Sequence, residues 1–127
     1  MNRMREAIQK SSLGPASVTG TNGKQCFCFN ESFIGFAGHF PGYPILPGVL
    51  QNLLGQVVAE QVIGHQLQFK AINRAKFSRQ LRPDDQIDVD VSCQEKDGKL
   101  HCKTQIRVGT EEASIFTLVL EQGATIL

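Results

Sequence analysis

Three of the five prolines fall within seven residues, at Pro41, Pro44 and Pro47, and no other feature constrains the fold as tightly. A proline ring fixes its own φ and drives the residue before it into extended conformations. Residues 31–46 are therefore read as a loop whose second half is stiff and extended, with His39 on it and Phe33, Ile34, Phe36 and Phe40 turned inward. Pro47 suits the first position of a helix, where a missing N–H leaves no bond unmade. Apolar residues then recur at helical spacing (Val49, Leu50, Leu53, Leu54, Val57, Val58, Val62), and Gly64 supplies the stop. This helix, about Pro47–Ile63, is apolar around most of its circumference, so other elements must wrap it. Asn52, Gln56 and Glu60 form a polar line along it.

The remainder of the chain reads as strands around that helix. Residues 1–14 predict a short polar helix, broken by Gly14-Pro15. Ala16–Thr21 and Lys24–Asn30 predict two strands about an Asn22-Gly23 turn. After the helix, period-2 alternation predicts strands over Leu67–Arg79, Gln86–Glu95, Lys99–Val108 and Glu111–Glu121. In the first of these, Leu67, Phe69, Ala71, Ala75 and Phe77 oppose Lys70, Arg74 and Lys76. Asp97-Gly98 is a two-residue turn of the I′ kind, which pairs Cys93 with Cys102, Val91 with Thr104 and Val89 with Ile106. One helix followed by an antiparallel meander is an α+β domain, and 127 residues suit a single domain, 1–127.

Composition narrows the function classes. A formal net charge of +1 gives no electrostatic case for nucleic acid. No apolar run is long enough to span a membrane. The N-terminus has basic residues without an apolar core, so no secretory signal is expected. The four cysteines lack ligand spacing and are read as buried thiols in a reducing cytoplasm, with no metal.

The chemistry-bearing arrangement is His39 on a rigid loop beside a helix start. A helix N-terminus offers unpaired N–H groups and a positive dipole end. Histidine is the side chain that titrates near neutrality. A base beside an oxyanion site is equipment for removing a proton next to a carbonyl. His65, just past the helix, is read as a solvated loop residue, and His101 lies on a polar strand face.

Gly38-His39-Phe40-Pro41-Gly42-Tyr43-Pro44-Ile45-Leu46-Pro47-Gly48-Val49-Leu50 resembles the signature of the 3-hydroxyacyl-acyl carrier protein dehydratases, the FabA/FabZ group of hot-dog folds. A second block, Ile72–Arg79 followed by Leu81-Arg82-Pro83-Asp84-Asp85-Gln86, resembles the family strand beside the helix and its closing turn. The resemblance covers roughly residues 24–121, and residues 1–14 match poorly. It implies an antiparallel sheet wrapped around one central helix, and a dimer or higher homo-oligomer with the site at the interface. It implies that His39 takes the α-proton of a 3-hydroxyacyl thioester and that the Gly48 N–H polarises the thioester carbonyl. Phe40, Pro47, Asn52, Leu53 and Gln56 would line the pocket. The substrate would ride on phosphopantetheine, on acyl carrier protein or coenzyme A, with no further cofactor, in fatty acid or polyketide-like synthesis. Lys70, Arg74, Lys76, Arg79 and Arg82 would meet an acidic carrier protein.

One position departs from the family. Its acid, fourteen residues after the histidine, is replaced here by Leu53. Three readings follow. His39 serves as base and then acid, while water, Asn52 or Gln56 holds the leaving hydroxyl. Alternatively, the chain binds acyl thioesters without turnover, or relies on a partner subunit for the acid. In the third, the chain is a hot-dog thioesterase, although no acid lies between Glu31 and Glu60.

Overall fold

The computed structural model describes residues 3–36 and 44–122. The elements run α1 (Arg3–Lys10), β1 (Ser17–Thr19), β2 (Asn22–Cys28), a 3-10 turn (Ile34–Phe36), α2 (Gly48–Ile63), β3 (Leu67–Phe77), β4 (Gln86–Lys96), β5 (Lys99–Val108) and β6 (Glu111–Gln122). The strands form one antiparallel six-stranded sheet in the order β1-β2-β4-β5-β6-β3. Its apolar face closes on α2, where Leu54, Val57, Val58 and Ala59 are buried with Phe27, Ile87, Val89, Ile106, Phe116 and Leu118. This is the expected α+β hot-dog arrangement. No helix among the described residues is long and apolar enough to cross a membrane.

Helix α2 begins and ends as its sequence dictates, with one adjustment. Pro47 is extended (φ −68°, ψ 157°) and caps the helix rather than forming its first residue. Gly64 takes the left-handed conformation at φ 99°, and its N–H bonds to the Glu60 carbonyl. The β4–β5 hairpin matches its turn chemistry. Asp97 and Gly98 both have positive φ, 55° and 78°, and Cys93 pairs with Cys102, Val91 with Thr104 and Val89 with Ile106. The two thiols sit 3.3 Å apart, with the Cys102 thiol donating to Cys93. That bond, reinforced by burial, pushes the Cys102 thiol well above its ordinary range.

Several expectations are corrected, each for a packing reason. The first hairpin turns at Gly20-Thr21, because Thr19 pairs with Asn22. Gly20 takes φ 61° at the first central position, where a II′ turn wants glycine. Gly23 lies within β2 instead, where an added Cβ would sit 2.5 Å from Val62 Cγ2 and 3.3 Å from Val58 Cγ1. It is glycine so that the helix can approach.

In β3 the register shifts between Phe69 and Ala71 and again between Asn73 and Lys76, around Arg74 at φ 54°. Ile72, opposite Leu118, therefore takes the helix-side place expected for Ala71, and Ala75 falls in the second shift. The strand ends at Phe77, two residues before the expected Arg79. Phe33 and Phe36 are buried in an aromatic run from Phe29, but Ile34 is 40% exposed. Phe40 lies outside the described residues.

Cys26 and Cys28 are only half-buried, unlike Cys93 and Cys102. The Cys26 thiol donates to Asp88 at 2.9 Å, which with partial burial raises it to about 11. Helix α1 is anchored by fully buried Ile8.

A second close helix–sheet approach is at Gly55. A Cβ there would stand 2.9 Å from Thr104 Cγ2, 3.0 Å from its Oγ1 and 3.1 Å from Leu118 Cδ1. Alanine is about 1 kcal/mol better than glycine in a helix interior, yet overpacking a core typically costs about 1–3 kcal/mol. Gly55→Ala should therefore be destabilising on balance, by up to about 2 kcal/mol, in chemical unfolding. A more stable variant would show that the sheet has room to retreat.

Candidate active site at the start of α2

One buried chain of three hydrogen bonds fixes the start of α2. The Leu46 N–H donates to the Leu81 carbonyl at 2.8 Å, and the Leu46 carbonyl accepts from Gln51 Nε2 at 3.2 Å. Gln51 Oε1 in turn accepts from the Ser114 hydroxyl at 2.8 Å. Gln51 and Ser114 are both buried, so the chain Leu81–Leu46–Gln51–Ser114 pins the end of the proline loop to β6 and to the turn after β3. Pro47 brings no side-chain cap, so the first N–H groups of α2 keep the open valence and positive end typical of a helix start.

Phe77, at the end of β3, lies over this helix start. An added Cβ on Gly48 would come within 3.2 Å of the Phe77 ring. A cavity of about 290 Å³ opens here, between Ile45, Leu46, Gly48 and Gln51 on one side and Phe77 and residues 78–80 on the other. Its outer wall is held by charge. Arg79 bonds Asp85 at 2.8 Å and Glu111 at 2.9 Å, and Asp85 also accepts from the Arg82 N–H at 2.9 Å. Partial burial works to raise the Asp85 pKa, but the Arg79 guanidinium and the Arg82 N–H outweigh it and hold the carboxyl below its usual range. Other depressions lie on the outer sheet face by Asn22 and Lys103, at about 370 Å³, and between α1 and the end of α2, at about 550 Å³. Neither touches the proline stretch.

The structure sorts the residues expected at the site. Gly48 lines the cavity and Pro47 stands at its edge as the helix cap. Leu53 is partly buried against the core margin, on the same helix face as Val49, which is 71% exposed. Asn52 is partly buried, with its Oδ1 enclosed and without a hydrogen-bond partner among the described residues. Gln56 belongs to the fold rather than to an open pocket, since its Nε2 donates to the Leu67 carbonyl at 2.9 Å and to Glu60 at 3.2 Å. His39 and Phe40 lie outside the described residues.

Among the basic residues, Lys70 pairs with Glu121 at 3.4 Å and Arg79 is held as described. Lys76 and Arg74 are exposed on β3, but the two register shifts interrupt the alternation that set Lys70, Arg74 and Lys76 on one face. His65 is exposed, with Nδ1 3.0 Å from the Gln66 carbonyl. Sequence reasoning overlooked Gln51, Ser114 and Phe77. For Gln51, a signal existed: a polar residue four positions before the sheet-facing Gly55.

Two measurements check this geometry. Ser114→Ala leaves Gln51 Oε1 buried without its donor, which should cost about 1–3 kcal/mol of stability in equilibrium unfolding. Asp85 supplies a pH signature. Its folded pKa lies below the ordinary value near 3.8, so the stability that it contributes is fully present above that value and is lost as pH falls through the folded pKa. Asp85→Asn should flatten that acid limb of Tm against pH.

Comparison with known proteins agrees with this architecture. The ApeI-like family model, described as ApeI dehydratase, matches residues 17–115. The 3-hydroxyacyl-[acyl-carrier-protein] dehydratase FabZ of Fusobacterium nucleatum is 43% identical over 74 residues, covering 54% of this chain and 51% of that protein. FabZ of Bacillus cereus is 36% identical over 97 residues, covering 61% and 66%. The chain thus spans between about half and two thirds of the length of these relatives. Among solved structures, the dehydratase heterocomplex ApeI:P from Xenorhabdus doucetiae superposes with a TM-score of 0.72 at 22% identity, over 87% of this chain and 96% of that one. The smu.793 protein of Streptococcus mutans, solved with acetyl CoA, gives a TM-score of 0.67 at 8% identity, over 91% and 94%. With the family match running from β1 into β6, the chain belongs to the ApeI-like dehydratase family.

Proposed function

We propose that this chain is a dehydratase-type lyase acting on 3-hydroxyacyl thioesters, carried on the phosphopantetheine of acyl carrier protein or coenzyme A, in fatty acid or polyketide-like synthesis. One observation carries the reading: an uncapped helix start, pinned on both sides at Leu46, opens onto a cavity directly after the Gly-His-Phe-Pro-Gly stretch. In this reading the thioester carbonyl accepts a hydrogen bond from the Gly48 N–H. His39 takes the α-proton, the Cα–Cβ double bond forms as the C–O bond breaks, and the hydroxyl leaves as water with a returned proton. Negative charge develops on the carbonyl oxygen beside donors that need no reorganisation, and removing one such donor typically costs about 2.7–4 kcal/mol of barrier.

Leu53 favours a second reading, in which a partner subunit supplies the acid. Val49 and Leu53 form an apolar face of α2 that its own sheet leaves partly open. Beside it, β3 is an edge strand with Phe69 48% and Phe77 47% exposed. A second hot-dog subunit, either a copy of this chain or a related one, would cover both features. The solved ApeI:P neighbour is itself a heterocomplex. A thioesterase reading lacks its carboxylate, because Glu60, the first acid on α2, is engaged by Arg5, Gln56 and the Leu67 N–H. Lys76 and Arg74, exposed on β3, suit contact with an acidic carrier protein.

Enoyl-thioester absorbance tests the reading. Wild type should show weak turnover of 3-hydroxyacyl thioesters, abolished in His39→Ala. Supplying the missing acid with Leu53→Glu should raise the rate, since a general acid typically contributes about 10²–10⁴-fold. Equal rates in wild type and His39→Ala would sink the catalytic assignment. If neither wild type nor Leu53→Glu turns over while acyl-pantetheine still binds, the chain acts as a binding subunit.

A further inference from the structure

We infer that Cys93 and Cys102 form a redox-sensitive latch in the sheet: hydrogen peroxide joins them as a cross-strand disulfide, and the joined form holds the β4–β5 hairpin closed. The latch is independent of the dehydratase reading. Its two sulfurs lie 3.3 Å apart, with the Cys102 thiol donating to Cys93. The backbone suits a bond between them. The Cys93 N–H turns away from β5 and donates to the Thr21 carbonyl at 2.9 Å, so residues 93 and 102 face each other as a non-hydrogen-bonded pair. Opposed Cα atoms in such a pair stand about 4.5 Å apart, within the range of about 4.4–6.8 Å that disulfides span. The sulfurs need to close by only about 1.2 Å to reach S–S bonding distance. The other two cysteines lack this arrangement. Cys26 opposes Asp88, to which its thiol donates, and Cys28 opposes Gln86.

Both thiols are buried, so only a small oxidant reaches them. A cavity of about 460 Å³ at the turn end of the hairpin is lined in part by Ile63, Glu95, Leu100 and Leu120. Glu95, Leu100 and Leu120 form the next row on the same sheet face, two residues along from Cys93, Cys102 and Leu118, or about 7 Å. Hydrogen peroxide, close to water in size, has that one row to pass. The hydrogen bond from Cys102 draws the Cys93 thiol below its ordinary range, against the effect of burial, and the thiolate is the attacking form. The Cys93 sulfur attacks one peroxide oxygen. An S–O bond forms, the O–O bond breaks, and the departing hydroxide takes the Cys93 proton as water. The Cys102 sulfur then attacks the sulfenic sulfur on Cys93. The S–S bond forms, the S–O bond breaks, and hydroxide leaves with the Cys102 proton as a second water. Two thiols are oxidised and one peroxide is reduced to two waters. The new bond closes the loop 93–102 and removes freedom from the unfolded chain. It lies under the second half of α2: Thr104 meets Gly55 on one side, and Leu100 shares its cavity with Ile63 on the other.

Peroxide treatment of the folded, fully reduced protein tests the latch. After quenching, alkylation under denaturing conditions and peptide mapping should find the Cys93 and Cys102 peptides joined within one chain. Tm should rise by about 5–10 °C on oxidation and return to its starting value with dithiothreitol. Cys26→Ser/Cys28→Ser, which keeps both core thiols, should respond like wild type. Cys102→Ala should show neither the joined peptides nor the Tm rise, and the wild-type map decides the matter even if that variant folds poorly. Cys93 and Cys102 recovered as free thiols, or as separate sulfinic acids, overturn the proposal. So does a bond from either of them to Cys26, Cys28 or a second chain. A Tm that falls on oxidation, with the bond formed, shows that it distorts the core and overturns the latch.

Discussion

The sheet closes on α2 until no side chain fits between them at Gly23 and Gly55, and that contact governs the rest of the structure. Close approach strips water from the sheet-facing side of the helix, including positions where the sequence places polar groups. Each such group then needs a partner of its own. Gln51 finds Leu46 and Ser114, Gln56 finds Leu67, and Glu60 finds Arg5 and the Leu67 backbone. These partners lie in the proline loop, in β6, at the start of β3 and in α1. The buried polar groups thus set how neighbouring elements sit against the helix, while the apolar ones supply the driving force.

Legibility in the sequence followed the range of the interaction responsible. The Asp97-Gly98 hairpin, with its Cys93–Cys102 pairing, needs only local turn chemistry and was readable to the residue. Helix α2 was readable because proline and glycine mark its ends. Asn22-Gly23 carries the same local signal as Asp97-Gly98, yet Gly23 answers to Val62 and Val58 on a helix some forty residues away. The bulges of β3 are equally non-local, so simple alternation assigned Ala71 the place that Ile72 takes. The line Asn52–Gln56–Glu60 was legible as a polar line on a wrapped helix, but its partners were not, since sequence alone cannot show that Arg5 arrives to pair with Glu60.

At the site, the motif named the loop and the helix start, and the structure supplied their mechanical support. Gln51 and Ser114 escaped notice because neither belongs to a catalytic residue pattern; their role is to hold the Leu46 carbonyl still. Leu53 sets an apolar side chain where the family's acid would stand, and no acid of α2 precedes Glu60. Holding and protonating a leaving group are separable tasks, and only the second needs a titrating side chain.

The pairing of Arg5 with Glu60 gives the N-terminal helix a weight that its length would not suggest. Residues 1–14 match the family poorly and look dispensable by that measure. Yet trimming them would leave a carboxylate in the interior without its counter-ion, and breaking a buried pair from one side commonly costs about 3–5 kcal/mol. Because Glu60 also receives the first N–H of β3, that loss would be felt at the far edge of the sheet. A shortened chain is therefore a poor stand-in for the whole one in any study of assembly, for reasons of internal charge balance rather than of surface contact.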